Sequence, residues 1–189
     1  MFILGIAGSP RKGGNTETLL DEALASAQAQ GARTEKVLLS STRIAPCMGC
    51  GACERTGECI QKDGMQKLYD TILSADVILF ASPIYFYSVS GTAKCAIDRT
   101  QALWSRKYKL KDERYYQKKK GYFISVSASK GERVFEGAQL VMKYFFDAAG
   151  YELTGELLIK GIDSNGEIKK HPAYLQAARE LGEEAAGRT

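Results

Sequence analysis

FILGIAGSPRKGGNT, residues 2–16, is the stretch that decides the fold. Its first six residues form a continuous apolar run, which predicts a strand buried on both faces of a sheet. Glycines, a serine and a proline follow, and a helical pattern then runs from Asn15 to Gln30. A glycine-rich turn that presents backbone N–H groups at a helix N-terminus is a binding site for an anion.

The rest of the chain continues the alternation of short apolar runs and longer amphipathic stretches. We expect further strands at 34–39, 76–81, 121–127 and 151–159, and helices at 63–74, 91–104, 133–149 and 172–186. Ser82-Pro83 is expected to end the third strand. Five apolar strands alternating with helices predict an α/β fold, a parallel sheet with helices on both faces. We expect one domain over residues 1–189, with a cysteine-rich loop at 47–59 after strand 2.

Composition excludes several classes of protein. The chain has 189 residues, 44% of them hydrophobic, and a net charge of +4, which is too small to indicate nucleic-acid binding. No run approaches the roughly 18 apolar residues of a membrane span, and the start lacks the basic leading region of a signal peptide. We therefore expect a cytoplasmic protein that binds neither nucleic acid nor membrane. The only histidine is His171, and no complete Ser-His-Asp or Cys-His set is evident, which disfavours a hydrolase.

The basic charge is concentrated between Arg106 and Lys120, a segment that contains eight Lys or Arg residues and only two acidic residues. Two interpretations stay open for this segment. It is either a solvated loop or a docking face for an acidic partner such as ferredoxin or for a nicotinamide phosphate.

The turn after the first strand matches neither common nucleotide motif. A Walker A loop would end in Gly-Lys-Ser/Thr, whereas Gly14-Asn15-Thr16 stands at that place. The spacing of Gly5, Gly8 and Gly13 does not fit the dinucleotide fingerprint. We expect a monophosphate held by backbone and hydroxyl groups, with a plain strand-to-helix turn as the alternative.

Two further loops are expected at the same edge of the sheet, because ligands of open α/β sheets sit beyond the carboxyl ends of the strands. SPIYFYSVSG (82–91) places three aromatic residues after a proline, and these suit a flat ring such as isoalloxazine. They could instead cover the core or a dimer interface. SASKG (127–131) adds small polar residues and Lys130, whose charge would lie near the ring.

Four cysteines follow the spacing C-x2-C-x2-C-x5-C, and the glycines between them let the loop fold tightly. Thiols stay reduced in the cytosol, so the run indicates a metal before disulfides. The compact spacing favours a 4Fe-4S cluster over zinc, which usually takes two separated C-x-x-C pairs, and a loop without metal also stays open. The candidate ligands are Cys47, Cys50, Cys53 and Cys59. Cys95 is predicted to lie in the core.

ILGIAGSPRKGGNT, the cysteine run, SPIYFYSVSGTAKCAIDRT and the SASKG loop together resemble the iron–sulfur flavoproteins, within the NADPH-dependent FMN reductase group. The resemblance covers roughly residues 1–150. It implies a flavodoxin-like, five-stranded parallel sheet of order 2-1-3-4-5, FMN as prosthetic group, and a homodimer or homotetramer. The residues that match the FMN-contacting loops of the family are Ser9, Arg11, Lys12, Gly14, Asn15, Thr16, Pro83, Ile84, Tyr85, Phe86, Ser127, Ser129, Lys130 and Gly131.

Three functions remain open. The first is an FMN-dependent oxidoreductase or electron-transfer flavoprotein, in which electrons pass between a 4Fe-4S cluster and FMN and the redox partner is ferredoxin or NAD(P)H. The second is an NAD(P)H-dependent FMN or quinone reductase without a cluster. The third is a zinc-stapled interaction module with no enzymatic activity. Because a flavin carries the chemistry in the first two, no catalytic side chain is expected.

Overall fold

The computed structural model describes residues 1–187. The strands are Phe2–Ala7 (β1), Arg33–Leu38 (β2), Val77–Tyr85 (β3), Ser88–Val89 (β4), Lys119–Ser127 (β5) and Tyr151–Lys160 (β6). The helices are Asn15–Ala29 (α1), Cys53–Thr56 (α2), Met65–Ser74 (α3), Gly91–Arg99 (α4), Gln101–Trp104 (α5), Glu136–Ala149 (α6) and Pro172–Ala185 (α7). Every helix within residues 1–187 is too short or too polar to span a lipid bilayer.

Five parallel strands pair in the order β2-β1-β3-β5-β6, which confirms the α/β sheet with the predicted 2-1-3-4-5 order. Side chains alternate between the two faces of the sheet. On one face Leu4 and Phe80 pack against α3, α4 and α6, and on the other Ile3 and Leu79 pack against α1 and α7. The sheet therefore has a hydrophobic core on each side.

The prediction that Ser82-Pro83 ends the third strand is wrong, because β3 continues to Tyr85. β1 pairs with β3 only as far as Ala81, whereas Pro83 still lies opposite Val126 of β5. Past Ala81 the strand has a parallel neighbour on one side only, and a residue without an N–H is tolerated at such an edge. The chain then reverses into β4, a sixth strand that pairs antiparallel with β3 and that the sequence did not indicate.

The helix predicted over 91–104 is divided into α4 and α5 at Thr100. The Thr100 hydroxyl donates to the Ile97 carbonyl at 2.6 Å, a bond that competes with the helical ladder. Cys95, predicted as core, is only half-buried, since Ala93 and Ala96 occupy the buried side of α4.

The basic segment is more folded than a solvated loop. A turn of π-helix spans Ser105–Lys109, and a 3-10 turn spans Glu113–Tyr116. Lys107 forms an ion pair with Asp147 at 2.7 Å and is half-buried. Part of the basic charge therefore stabilises the fold, and the remainder stays on the surface.

Candidate cofactor sites

Buried serines tie together the loops at the carboxyl edge of the sheet. Ser82, Ser90 and Ser125 are fully buried. The Ser90 hydroxyl donates to the Gly8 carbonyl and accepts from the Ala93 N–H, so it also caps α4. The Ser82 hydroxyl accepts from the Ser90 N–H at 3.0 Å, and the Ser125 hydroxyl donates to the Ser82 carbonyl at 2.8 Å. The network fixes the ends of β1, β3 and β5 relative to one another.

A cleft opens at this edge between the segments that follow β1, β3, β5 and β6. Eight of the fourteen residues predicted to contact FMN line it: Ser9, Arg11, Gly14, Asn15, Thr16, Pro83, Ile84 and Tyr85. The other six lie outside the lining: Lys12, Phe86, Ser127, Ser129, Lys130 and Gly131. The cleft therefore brings together the first loop and the end of β3, whereas the 127–131 loop contributes different residues from those expected.

Sequence reasoning missed five lining residues, namely Val126, Ala128, Ile162, Asp163 and Asn165. Val126 and Ala128 are the neighbours of Ser127, whose side chain is buried. Because successive side chains of a strand point to opposite faces, the two neighbours line the cleft and Ser127 does not. Residues 162–165 directly follow β6. The sequence did contain a signal for these residues, namely the fifth predicted strand. In a parallel sheet its carboxyl end lies at the same edge as those of the other strands, so the residues after it could have been expected at the cleft.

The N-terminus of α1 supplies free hydrogen-bond donors to the cleft. The first hydrogen bond of the helix runs from the Thr18 N–H to the Gly14 carbonyl at 2.9 Å, so the N–H groups of residues 15–17 have no helical acceptor. Thr16 is buried, lines the cleft, and its hydroxyl makes no hydrogen bond to any of residues 1–187. With Arg11 lining the same cleft, these donors make the turn a candidate anion site.

Asn15 acts differently from the free donor that the sequence indicated. Its amide nitrogen donates to the Ser164 carbonyl at 2.9 Å, and its amide oxygen accepts from the Ile168 N–H at 3.2 Å. The side chain therefore holds the loop after β6 against the start of α1. This contact explains how residues 162–165 come to line the cleft.

Glu17 lies buried behind the glycine-rich turn. Its carboxylate accepts from the Gly13 N–H at 2.6 Å and from Lys36 at 2.9 Å. Burial alone would raise the pKa of Glu17, but the hydrogen bonds from Lys36 and Gly13 bring it below its usual value. The carboxylate is therefore charged at neutral pH, and Lys36 neutralises it close to the anion site.

Phe86 and Tyr87 form the tight turn between β3 and β4. Their φ angles are 48° and 63°, so both residues occupy the left-handed region that such turns normally fill with asparagine or glycine. The left-handed conformation costs a non-glycine residue about 1–2 kcal/mol. Phe86 is fully exposed, at 103%, and next to it Tyr85 lines the cleft. Strain of this kind is concentrated at ligand sites, and here it holds aromatic rings at the rim.

The four predicted cysteine ligands line one common cavity, with Arg99 in its wall. Gly49, Gly51 and Gly57 have φ angles of 64°, 69° and 72°, which confirms that the loop needs glycine at these positions. The Ser105 hydroxyl donates to the sulfur of Cys53 at 3.6 Å. All four cysteines of the loop therefore border one cavity, at which Cys47 and Cys50 are exposed to solvent and Cys53 and Cys59 are half-buried.

Arg99 joins the two ends of the cysteine loop. Its guanidinium donates to the Asp63 carboxylate at 2.8 Å and to the carbonyls of Ala45 and Gln61 at 2.9 and 3.3 Å. Asp63 also accepts from the Ala45 N–H at 2.9 Å. Burial alone would raise the pKa of Asp63, but hydrogen bonds from Arg99, Ala45 and Met65 lower it. The base of the loop is therefore closed by a charged pair.

The four cysteines supply the donor set of a metal group. Zinc requires its ligands to converge at about 2.3 Å from a single point. No group of three or more Cys, His, Asp or Glu residues in the described range 1–187 converges closely enough to hold one ion. All four cysteines line one cavity, and four thiolates are the donors that the corners of a cubane require.

Comparison with known proteins places the chain among flavoproteins. The sequence profile described as NADPH-dependent FMN reductase matches residues 1–150. An iron–sulfur flavoprotein of Archaeoglobus fulgidus is 43% identical over 99 residues, or 52% of this chain and 45% of that protein. A second iron–sulfur flavoprotein of the same organism is 33% identical over 160 residues, or 85% of this chain and 76% of that protein.

Solved structures show the same architecture. A flavone reductase superimposes with a TM-score of 0.74 at 22% identity, over 99% of this chain and 62% of that chain. At that identity the likeness establishes the fold alone. The aligned part of the chain spans about half of the length of the first A. fulgidus relative, at 45%.

Glu17→Gln should make the free energy of unfolding depend less on pH in the acid range. Because the pKa of Glu17 is lower in the folded than in the unfolded chain, its charge adds stability above a pH of about 4.5, and this is lost as the pH falls through the folded pKa. We expect the variant to lose about 1 kcal/mol of unfolding free energy at neutral pH and to converge with the wild type in acid.

Urea unfolding curves recorded across this pH range measure the difference. Glu132→Gln, which removes an exposed carboxylate, is the control for the change in net charge. A difference between Glu17→Gln and wild type that stays constant with pH would contradict the assignment.

Proposed function

The chain belongs to the NADPH-dependent FMN reductase family, and from this premise we propose that it is an oxidoreductase that binds FMN in the cleft and a 4Fe-4S cluster in the cysteine cavity. One observation supports the proposal above all. A single chain combines an anion site beneath aromatic residues with four thiols around one cavity. FMN when bound supplies one- and two-electron chemistry, and a cluster supplies single electrons.

We assign the FMN phosphate to the start of α1. The N–H groups of residues 15–17 and the Thr16 hydroxyl donate to its oxygens, and Arg11 supplies the countercharge. Ser9 and Gly14 complete the turn, and the exposed Lys12 adds long-range attraction.

We assign the flavin ring to the space between the end of β3 and the end of β5. Pro83, Ile84 and Tyr85 of β3 and Val126 and Ala128 at the end of β5 line this space. Phe86, Ser129, Lys130 and Gly131 lie further out and would reach the exposed part of the ring or an incoming substrate. Ser127 is buried at the end of β5 and is not assigned a contact with the ring.

A second candidate function is an NAD(P)H-dependent FMN or quinone reductase whose cysteine loop holds no cluster. It uses the same cleft, and the exposure of Cys47 and Cys50 is the observation that favours it, because exposed thiols lose metal readily. An anaerobic absorption spectrum with iron, sulfide and flavin quantified separates the two functions. Zinc without flavin in the purified protein would instead indicate an interaction module.

We propose an acidic one-electron carrier such as ferredoxin as the partner at the cysteine loop. The basic segment packs against this loop, since Arg106 donates to the Gly57 carbonyl at 2.7 Å and Lys109 lies 3.9 Å from Glu54. Lys109 and Lys111 are exposed beside it. A nicotinamide donor would act at the flavin instead. We propose a cytoplasmic location, because thiols stay reduced in that compartment. We also propose a homodimer or homotetramer, and light scattering would measure the mass of the assembly.

Thr16→Val should weaken FMN binding without affecting riboflavin. The substitution removes the hydroxyl at nearly constant volume, and a hydrogen bond to a charged group contributes about 1.5–3 kcal/mol. We therefore expect the dissociation constant for FMN to rise about tenfold or more. Titration by flavin fluorescence measures both ligands.

Riboflavin, which lacks the phosphate, is the matched control ligand, and Thr71→Val on α3 is the control variant. Equal losses for FMN and riboflavin would show that the phosphate binds elsewhere.

Cys50→Ala should abolish cluster assembly and leave FMN bound. Anaerobic reconstitution with iron and sulfide, followed by metal analysis and absorption spectroscopy, measures both cofactors in one sample. Cys95→Ala is the control, because this thiol lies on α4 outside the cavity. Equal iron in Cys50→Ala and wild type would refute the assignment of the loop.

Charge reversal at Lys109 and Lys111 should slow reduction by an acidic carrier. The double variant removes attraction that steers the encounter, so we expect the second-order rate constant to fall several-fold at low salt and to approach wild type at high salt. Stopped-flow mixing with reduced ferredoxin measures the rate. Reversal of Lys169 and Lys170, exposed before α7, is the control. Equal effects of the two double variants would exclude specific docking.

A further inference from the structure

We propose that Arg99 raises the reduction potential of the cluster, as a buried cation at the cysteine cavity whose unpaired Nε–H donates to a sulfur of the bound cluster. The inference rests on the proposed function, since it requires a cluster in that cavity. It assigns to Arg99, at the end of α4, the positive charge beside the cluster that the cysteine ligands cannot supply.

The first support is the hydrogen bonding of the guanidinium. Both terminal nitrogens of Arg99 are engaged, by Asp63 and by the carbonyls of Ala45 and Gln61. Its Nε is the one buried side-chain nitrogen or oxygen in residues 1–187 that has no partner. An unsatisfied buried donor costs about 1–3 kcal/mol. Arg99 is one of the residues that line the cysteine cavity, and a sulfur of the cluster bound there is the acceptor that we assign to its Nε–H.

The second support is the distribution of charge. The Arg99 side chain is 0% exposed and Arg99 is one of the residues that line the cavity, whereas Asp63 is not among them and its side chain is 19% exposed. The cavity therefore meets the positive end of the pair. A cluster held by four thiolates is an anion that gains a further negative charge on reduction, so a buried cation beside it stabilises the reduced form.

The competing explanation is that Arg99 only braces the loop. Arg106 provides the comparison, because it also braces the loop, through the Gly57 carbonyl, and it is half-buried outside the cavity wall. A bracing role predicts that the two arginines have similar effects on how much cluster assembles. A tuning role predicts that Arg99 alone changes the potential of the cluster that does assemble.

The test is an anaerobic redox titration, followed by electron paramagnetic resonance, of the reconstituted full chain. Arg99→Gln should lower the midpoint potential, whereas Asp63→Asn, which leaves the cation uncompensated, should raise it. We expect each shift to correspond to roughly a tenfold change in the ratio of reduced to oxidised cluster, or about 59 mV for a one-electron couple. Arg106→Gln should leave the midpoint close to that of the wild type.

Arg99→Lys covers the case in which Arg99→Gln fails to fold. Lysine keeps the positive charge but cannot donate from the Nε position. A midpoint potential between those of wild type and Arg99→Gln supports the proposal. If Arg99→Gln does not fold, the supporting result is a midpoint potential of Arg99→Lys that lies below wild type by less than that of Asp63→Asn lies above it. Loaded Arg99→Lys and Asp63→Asn with wild-type midpoints would overturn it and leave the proposed function intact. A wild-type chain that takes up no iron and sulfide would overturn both.

Discussion

Three buried hydroxyl groups carry the constraint on which the cleft depends. A parallel sheet brings the ends of its strands to one edge, but it does not fix the loops beyond them, whose backbone groups must still find partners. Ser82, Ser90 and Ser125 satisfy those groups by donating and accepting across the ends of β1, β3 and β5. Because the hydroxyls lie in the core, the loss of one would remove the partner of a buried backbone group, the Ser90 N–H for Ser82 and a carbonyl for Ser90 or Ser125. The cleft would then lose its shape before the sheet lost its strands.

Helix α4 runs from the serine network to the cysteine cavity. Ser90 caps its N-terminus within the network, and Arg99, its last residue, is one of the residues that line the cavity. Nine helical residues span about 13 Å, so one rigid element sets the separation between the network and the cavity. The helix that is tied to the ends of β1 and β3 therefore also carries the charge beside the thiols.

Much of the fold and of the candidate sites could be predicted from the sequence, because strong local patterns define the strands, the glycine-rich turn and the cysteine loop. The apolar run of β1 and the glycine-rich turn after it leave few alternatives, and the spacing of the cysteines needs no tertiary information. Pro83 was misleading because its tolerance depends on where β1 stops pairing, which is a property of the sheet. The role of Asn15 depends on contacts some 150 positions away along the chain, with Ser164 and Ile168. Arg99 could not be singled out for a related reason, since a cation in the last turn of a helix ordinarily faces water.

The closure at the foot of the cysteine loop has an evolutionary consequence. Ala45 and Asp63 hydrogen-bond to each other, so the polypeptide between them leaves the scaffold and returns to nearly the same place. A segment anchored in this way can be gained, shortened or replaced as a cassette while the sheet and the cleft stay intact. One ancestral scaffold could thus give rise to descendants with and without a cysteine-rich appendage, each with the same cleft at the carboxyl edge of its sheet.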